Sequence, residues 1–203
     1  MSRRADSLTP DYFAGLYGAD PDPDPWGFTT SAYEAAKYAA TLEALPRERY
    51  ASGLEIGCSI GVLTHRLAPR CAALLGIDVV ETALAAARAR NAAMPWVRFE
   101  ACAIPDTWPA GRFDLIVLSE VAYFFSRADV ARIAARIGSS ILPGGHIVLV
   151  HWLGETDYPL SGDAAAEALI ADARFARPVH RIRAAEYRLD VLHVDGVAAE
   201  VSA

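Results

Sequence analysis

At 203 residues, 53% hydrophobic and 22% charged, the chain is long enough to bury one complete α/β core, and it shows no internal repeat or second domain. Its net charge of −6, with no basic cluster interleaved with aromatics, argues against nucleic acid as substrate. No apolar run approaches the roughly 20 residues that span a bilayer, and Met1 to Asp11 has two arginines but no apolar export core, so a cytoplasmic protein without a membrane or obligate protein partner is expected.

Residues 1–30 read as a polar, turn-rich lead. The run Asp20-Pro21-Asp22-Pro23-Asp24-Pro25 is neither helix nor central strand. Tyr12, Phe13, Tyr17, Trp26 and Phe28 flank it, and aromatics are costly on a merely solvated tail, so this segment is expected to cap a cleft. A helix follows near residues 31–45, with Lys37 one turn from Tyr33 on the same face. Leu54 and Ile56 mark a first strand, Gly57 to Gly61 a glycine turn, and Val62 to Leu67 a short helix. Ala72 to Ile77 is a second strand, ending in Asp78. Further elements are a helix near 81–93 and strands near 96–101 and 113–118. A helix near 127–141 carries Val130, Ile133, Ile137 and Ile141 at core spacing behind a Ser126 cap. A strand near 146–151, a helix near 163–172 and an antiparallel strand pair from His180 to Val194 complete the chain. Strand–helix alternation implies a parallel sheet, here closed by an antiparallel edge pair. Cys58, Cys71 and Cys102 are odd in number and lack metal-type spacing, which points to free thiols and no metal site.

The glycine turn lets a ligand approach bare backbone at the N-terminus of a helix. Asp78, about 20 residues on, is placed either to hold both hydroxyls of a ribose or to cap the next helix. The order Glu55, Gly57, Ser59, Gly61 does not fit the Gly-x-Gly-x-x-Gly spacing that cradles a pyrophosphate. An acid before the turn suits instead a cofactor end carrying an ammonium and a sulfonium, as in S-adenosylmethionine.

Leu54-Glu55-Ile56-Gly57-Cys58, Gly76-Ile77-Asp78, Phe113 to Glu120 and Leu142 to Leu149 together resemble, in order, four motifs of the class I S-adenosylmethionine-dependent methyltransferases. A narrower resemblance, to nodulation N-methyltransferases (NodS-like), rests on Asp24-Pro25-Trp26, Tyr33-Glu34 with Lys37, Leu67-Ala68-Pro69-Arg70-Cys71 and Glu120-Val121-Ala122-Tyr123-Phe124. The resemblance implies a single Rossmann-like domain over residues 31–203 with a mostly parallel seven-stranded sheet. It also implies S-adenosylmethionine as cofactor, S-adenosylhomocysteine as product, and methylation of an amine on a chitooligosaccharide-like or small-molecule acceptor. Lys37 would pair with the methionine carboxylate of the cofactor. Glu55, Gly57, Ser59, Gly61, Asp78, Val79 and Ser119 would line the rest of its pocket. Two departures stand out: Ser59 occupies a usual glycine, and Ala103 an acidic position facing adenine, leaving backbone around Ala103 and Ile104 to hold the base.

Chemistry is expected at the ends of strands four and five. Glu120 and His151 are the candidates for taking or sharing the amine proton, although in-line positioning supplies most of the catalysis. A strand-end histidine satisfied by a carbonyl is the structural alternative for His151. Trp26, Tyr123, Phe124, Trp152 and Tyr158 are candidates for stacking on the acceptor. Methylation of an oxygen on a small polar metabolite, and a non-catalytic S-adenosylmethionine-binding module, are the alternatives.

Overall fold

A computed structural model describes residues 3–18 and 24–195. Seven strands form one sheet in the order β3-β2-β1-β4-β5-β7-β6. They are β1 (Gly53–Ile56), β2 (Leu74–Asp78), β3 (Val97–Ala101), β4 (Phe113–Ser119), β5 (Ile141–Trp152), β6 (Ala176–Arg183) and β7 (Tyr187–Val194). β1 to β5 pair in parallel, and β7 runs antiparallel to both β5 and β6. This is the mostly parallel, Rossmann-like sheet with an antiparallel edge pair that the alternation predicts. β6 begins at Ala176, before the expected His180. β5 also begins early: Phe113 pairs with Ile141 and Leu115 with His146, so the Leu142-to-Gly145 turn is a bulge within the strand.

Among the described residues, six α-helices flank the sheet: α1 (Pro10–Gly18), α2 (Ala32–Glu43), α3 (Val62–Leu67), α4 (Glu81–Arg90), α5 (Arg127–Ser140) and α6 (Gly162–Asp172). Serine hydroxyls start three of them. Ser31, Ser126 and Ser161 each accept a backbone N–H three residues on, at 3.2 Å. α5 buries Val130, Ile133, Ala134 and Ile137 on one stripe against the sheet, with Ile116, Leu118, Ile147 and Leu149 in the same core. On the other sheet face, Leu63, Leu67, Leu115, Val117, Val148 and Val150 form a second core. The central strands are buried on both faces, which is why they read as continuous apolar runs.

The lead is more ordered than its composition suggests, because α1 lies within it. Pro10 stands at the first helical position, where its missing N–H costs nothing, and Asp11 sits in the first turn. Asp24 accepts backbone N–H bonds from Phe28 and Thr29 at 2.8 Å and so shapes the turn before α2. The rest of the Asp-Pro run, residues 20–23, lies outside the described residues. No helix among the described residues is long and apolar enough to cross a membrane.

Candidate active site

Where the strand order reverses between β1 and β4, the carboxyl ends of the strands open into a cavity of about 430 Å³. Gly57 and Ser59 reach it from β1, Asp78 and Val79 from β2, Ser119 and Glu120 from β4, and Trp152 from β5. Phe13 and Tyr17 of α1, with Trp26 and Phe28, line it from the N-terminal segment.

The β1–β2 half is a turn held from two sides. Gly57 has φ +74°, and a Cβ there would fall 2.2 Å from Val121 Cγ2, so no side chain fits. Ser59 adopts φ +50°, a conformation that costs a non-glycine residue about 1 kcal/mol or more. Its N–H donates to Asp78 Oδ2 at 2.9 Å, and its hydroxyl shares a 2.5 Å hydrogen bond with the Tyr17 hydroxyl. Asp78 Oδ1 accepts from Val80 N at 3.0 Å. Each Asp78 oxygen thus orders the turn and keeps a lone pair for a ligand hydroxyl. Burial raises the Asp78 pKa, against the pull of those backbone donors. Ile77, Val79, Cys102 and Ile104 supply apolar wall beside it.

The β4–β5 half is acidic and aromatic. Glu120 also sits at positive φ, +60°, which turns its carboxylate toward α2. Its Oε1 accepts from Lys37 Nζ at 2.5 Å, and its Oε2 accepts from the Tyr123 hydroxyl at 2.7 Å and Trp152 N at 2.8 Å. Lys37 is 1% exposed and bonds Glu34 Oε1 at 2.8 Å as well. Two carboxylates against one ammonium leave this cluster with a net negative charge. Around it, Tyr123 stacks on Tyr158 with ring centroids 5.4 Å apart, and Phe124 meets Phe13 edge-on at 4.9 Å. Trp26 and Trp152, each 38% exposed, also line the cavity.

Four expected site residues do not line the cavity. Gly61 begins α3, and a Cβ there would lie 2.8 Å from Asn91 Nδ2 and 2.9 Å from Ala87 Cβ, so its role is helix packing. Ala103 donates its N–H to Thr107 Oγ1 at 2.9 Å, which leaves no amide for a base; Cys102 takes its place in the wall. Glu55 is buried within β1, its Oε2 has no hydrogen-bond partner, and burial pushes its pKa up to about 8. His151 is wholly buried behind Tyr123, with ring centroids 5.6 Å apart and neither nitrogen hydrogen-bonded. Burial lowers its pKa to about 4, so it is neutral at pH 7 yet out of reach of the cavity. The carbonyl partner expected for a structural histidine is absent too. Tyr33 and Glu34, by contrast, line the cavity, as do Phe13, Tyr17, Phe28 and Cys102. Their i, i+3 and i, i+4 spacing to Lys37 was the available signal for Glu34 and Tyr33.

The chain matches the family described as Nodulation protein S (NodS) over residues 18–148. It is 37% identical over 115 residues to a Nodulation protein S of Bradyrhizobium diazoefficiens, covering 56% of this chain and 54% of that one. It is 31% identical over 150 residues to a Nodulation protein S of Sinorhizobium fredii, covering 73% and 69%. The match thus spans about half the length of the first relative. Among solved structures, the N-methyltransferase NodS of Bradyrhizobium japonicum WM9, in complex with S-adenosylhomocysteine, superposes with a TM-score of 0.77 at 25% identity, over 86% of this chain and 93% of that one. With the family match running through α2, the glycine turn, Asp78 and Glu120, the chain belongs to the Nodulation protein S (NodS) family.

Proposed function

We propose that the protein is an S-adenosylmethionine-dependent N-methyltransferase acting on the amine of an amino sugar or chitooligosaccharide-like acceptor. The observation that carries this reading is one cavity with two chemically distinct ends: a glycine turn with a buried carboxylate, and an acidic cluster walled by aromatics. S-adenosylmethionine, when bound, supplies a methyl carbon made electrophilic by a positive sulfur.

The residues present fit that cofactor. Asp78 has free acceptor capacity for two ribose hydroxyls, Gly57 lets Val121 close against the turn, and Val79, Ile104 and Cys102 give an apolar wall suited to adenine. At the other end, Glu120 is fixed by three donors and faces the cavity, so it can orient an amine and take its proton through a spare Oε1 lone pair. Methylating a neutral amine places positive charge on nitrogen, and a net-negative cluster held rigid before reaction stabilises that charge. Trp26 and Trp152 offer exposed indole faces on which a pyranose can stack. Glu120 therefore keeps the catalytic role, and His151, sealed from the cavity, is left out of it.

Calorimetric titration with S-adenosylmethionine and S-adenosylhomocysteine tests the cofactor, and radiolabelled methyl transfer to a glucosamine oligomer tests the acceptor. Asp78→Ala is expected to weaken both cofactor ligands by at least about 100-fold, since it removes two charge-assisted hydrogen bonds of about 1.5–3 kcal/mol each. Tight cofactor binding without turnover on any amine would mark a non-catalytic binding module instead.

A further inference from the structure

Two polar atoms in the cavity wall have no role in the proposal above. The Tyr33 hydroxyl and Glu34 Oε2 are both buried and have no hydrogen-bond partner among the described residues. Glu34 is 8% exposed, and both residues line the cavity. Buried polar atoms are nearly always paired, and an orphaned carboxylate oxygen costs more than an orphaned neutral group. Two such atoms, on neighbouring residues that both line the cavity, mark where an entering ligand supplies the missing partners.

The geometry points to Tyr33 and Glu34 as the binding site for the acceptor's ammonium group, opposite Glu120. This rests on the N-methyltransferase reading and deepens it. Glu34 Oε1 is tied to Lys37, so its carboxylate is held in place with Oε2 left as acceptor. Lys37 also lies over the Tyr33 ring, 5.0 Å from the centroid, which holds the ring in place. The cluster's net negative charge favours a cation over a neutral or anionic ligand. Through Lys37 it is continuous with Glu120 and Trp152 N, at the ends of β4 and β5, on the acidic side of the cavity away from Asp78. A primary ammonium has three donors. Glu34 Oε2 and the Tyr33 oxygen accept two; loss of the third proton to Glu120 frees the lone pair that attacks the methyl carbon as the methyl–sulfur bond breaks. A hydroxyl acceptor has one donor and no charge, and satisfies this arrangement poorly. Burial raises the Tyr33 and Tyr38 hydroxyl pKa values, reinforced by the nearby Glu34 and Glu120 carboxylates, so both hydroxyls stay neutral.

The cofactor's own ammonium is the competing occupant, so the test separates the two. Wild-type protein, Glu34→Gln and Tyr33→Phe are titrated with S-adenosylhomocysteine. Each loaded protein is then titrated with glucosamine trimer and with its uncharged N-acetylated counterpart. The wild type is expected to bind glucosamine trimer at least tenfold tighter than the acetylated trimer. Glu34→Gln should abolish that preference, and Tyr33→Phe reduce it several-fold, with S-adenosylhomocysteine affinity within twofold throughout. Tyr33→Phe deletes one oxygen and keeps the ring over Lys37, so it remains informative where Glu34→Gln destabilises α2, as thermal melting would reveal. If either variant weakens S-adenosylhomocysteine tenfold, or both keep the amine preference, the inference is overturned while the methyltransferase reading stands. Wild-type protein that does not bind S-adenosylhomocysteine overturns both.

Discussion

Ser59 shows how one residue can be both a defect and a fastener. Its left-handed backbone carries strain that glycine would not, and its hydroxyl gains a buried partner in Tyr17 that glycine would lack. The two effects are each about 1 kcal/mol and of opposite sign, so Ser59→Gly is expected to leave stability within about 1 kcal/mol of wild type. Tyr17→Phe removes the partner without relieving the strain and should cost about 1 kcal/mol. The double variant should cost less than the sum, with a coupling energy near 1 kcal/mol in a urea-denaturation cycle. Strict additivity would mean that the short contact contributes nothing. The same scale explains which site residues were legible. Asp78 and Glu120 can be placed at the cavity from sequence because an acid at the end of a parallel strand lies at the carboxyl edge of the sheet, where the cavity opens. Gly61 and Ala103 cannot, because spacing places a backbone but does not say whether Asn91 crowds it or Thr107 has already taken its N–H. His151 and Trp152 are adjacent and point to opposite faces of β5, and only the assembled sheet decides which faces the cavity.

Among the elements, α1 departs most from expectation and has the clearest consequence. The strands and α2 to α6 follow from apolar runs, serine caps and glycine turns, all local signals. α1 is short, holds Gly15 and ends at Gly18, so its propensity is poor and tertiary contacts stabilise it. Several of those contacts lie over the cavity. Leu8 N donates to Phe124 O at 2.9 Å, Phe13 packs on Phe124, and Tyr17 reaches Ser59. Outside the cavity, Arg4 pairs with Asp157 at 3.0 Å, but both side chains are more than a third exposed, where ion pairs contribute little. Ser7, before the helix, bonds Asp129 at 2.5 Å and accepts from Ser126 N at 2.8 Å. The anchors of α1 itself are chiefly Phe13 and Tyr17, and an element outside the sheet docked by aromatics opens at lower free energy than the core. Phe13→Ala should therefore raise the dissociation rate of S-adenosylhomocysteine about tenfold in stopped-flow measurements while costing little global stability. A large drop in melting temperature would show α1 to be part of the core rather than a cover.

For the molecule as a whole, buried titratable groups set opposing pH dependences. His151, wholly buried with a pKa near 4, stays neutral in the native state while the unfolded chain takes up a proton near pH 6.5. Its contribution is fully present above pH 6.5 and is lost as pH falls toward 4, on the order of 3 kcal/mol in total. His146, held near 4 first by burial and then by Arg47, acts in the same direction. Glu55 acts in the opposite sense. With its pKa raised to about 8 by burial, the native state holds a proton that the unfolded chain has released, so stability rises as pH falls from 8 toward about 4.5. Between pH 8 and 6.5 the Glu55 effect operates without the histidines, and below 6.5 the two histidines oppose it. The ligand-free protein should therefore show its highest melting temperature near pH 6.5 and lose stability on either side. His151→Phe keeps a ring against Tyr123 and removes two unpartnered nitrogens, so it should move that maximum to lower pH and flatten the acid limb. Melting curves from pH 8.5 to 5 measure this directly. An acid limb unchanged by the substitution would mean that His151 is protonated or solvated in the native protein, and would return it to consideration as a proton acceptor at the site.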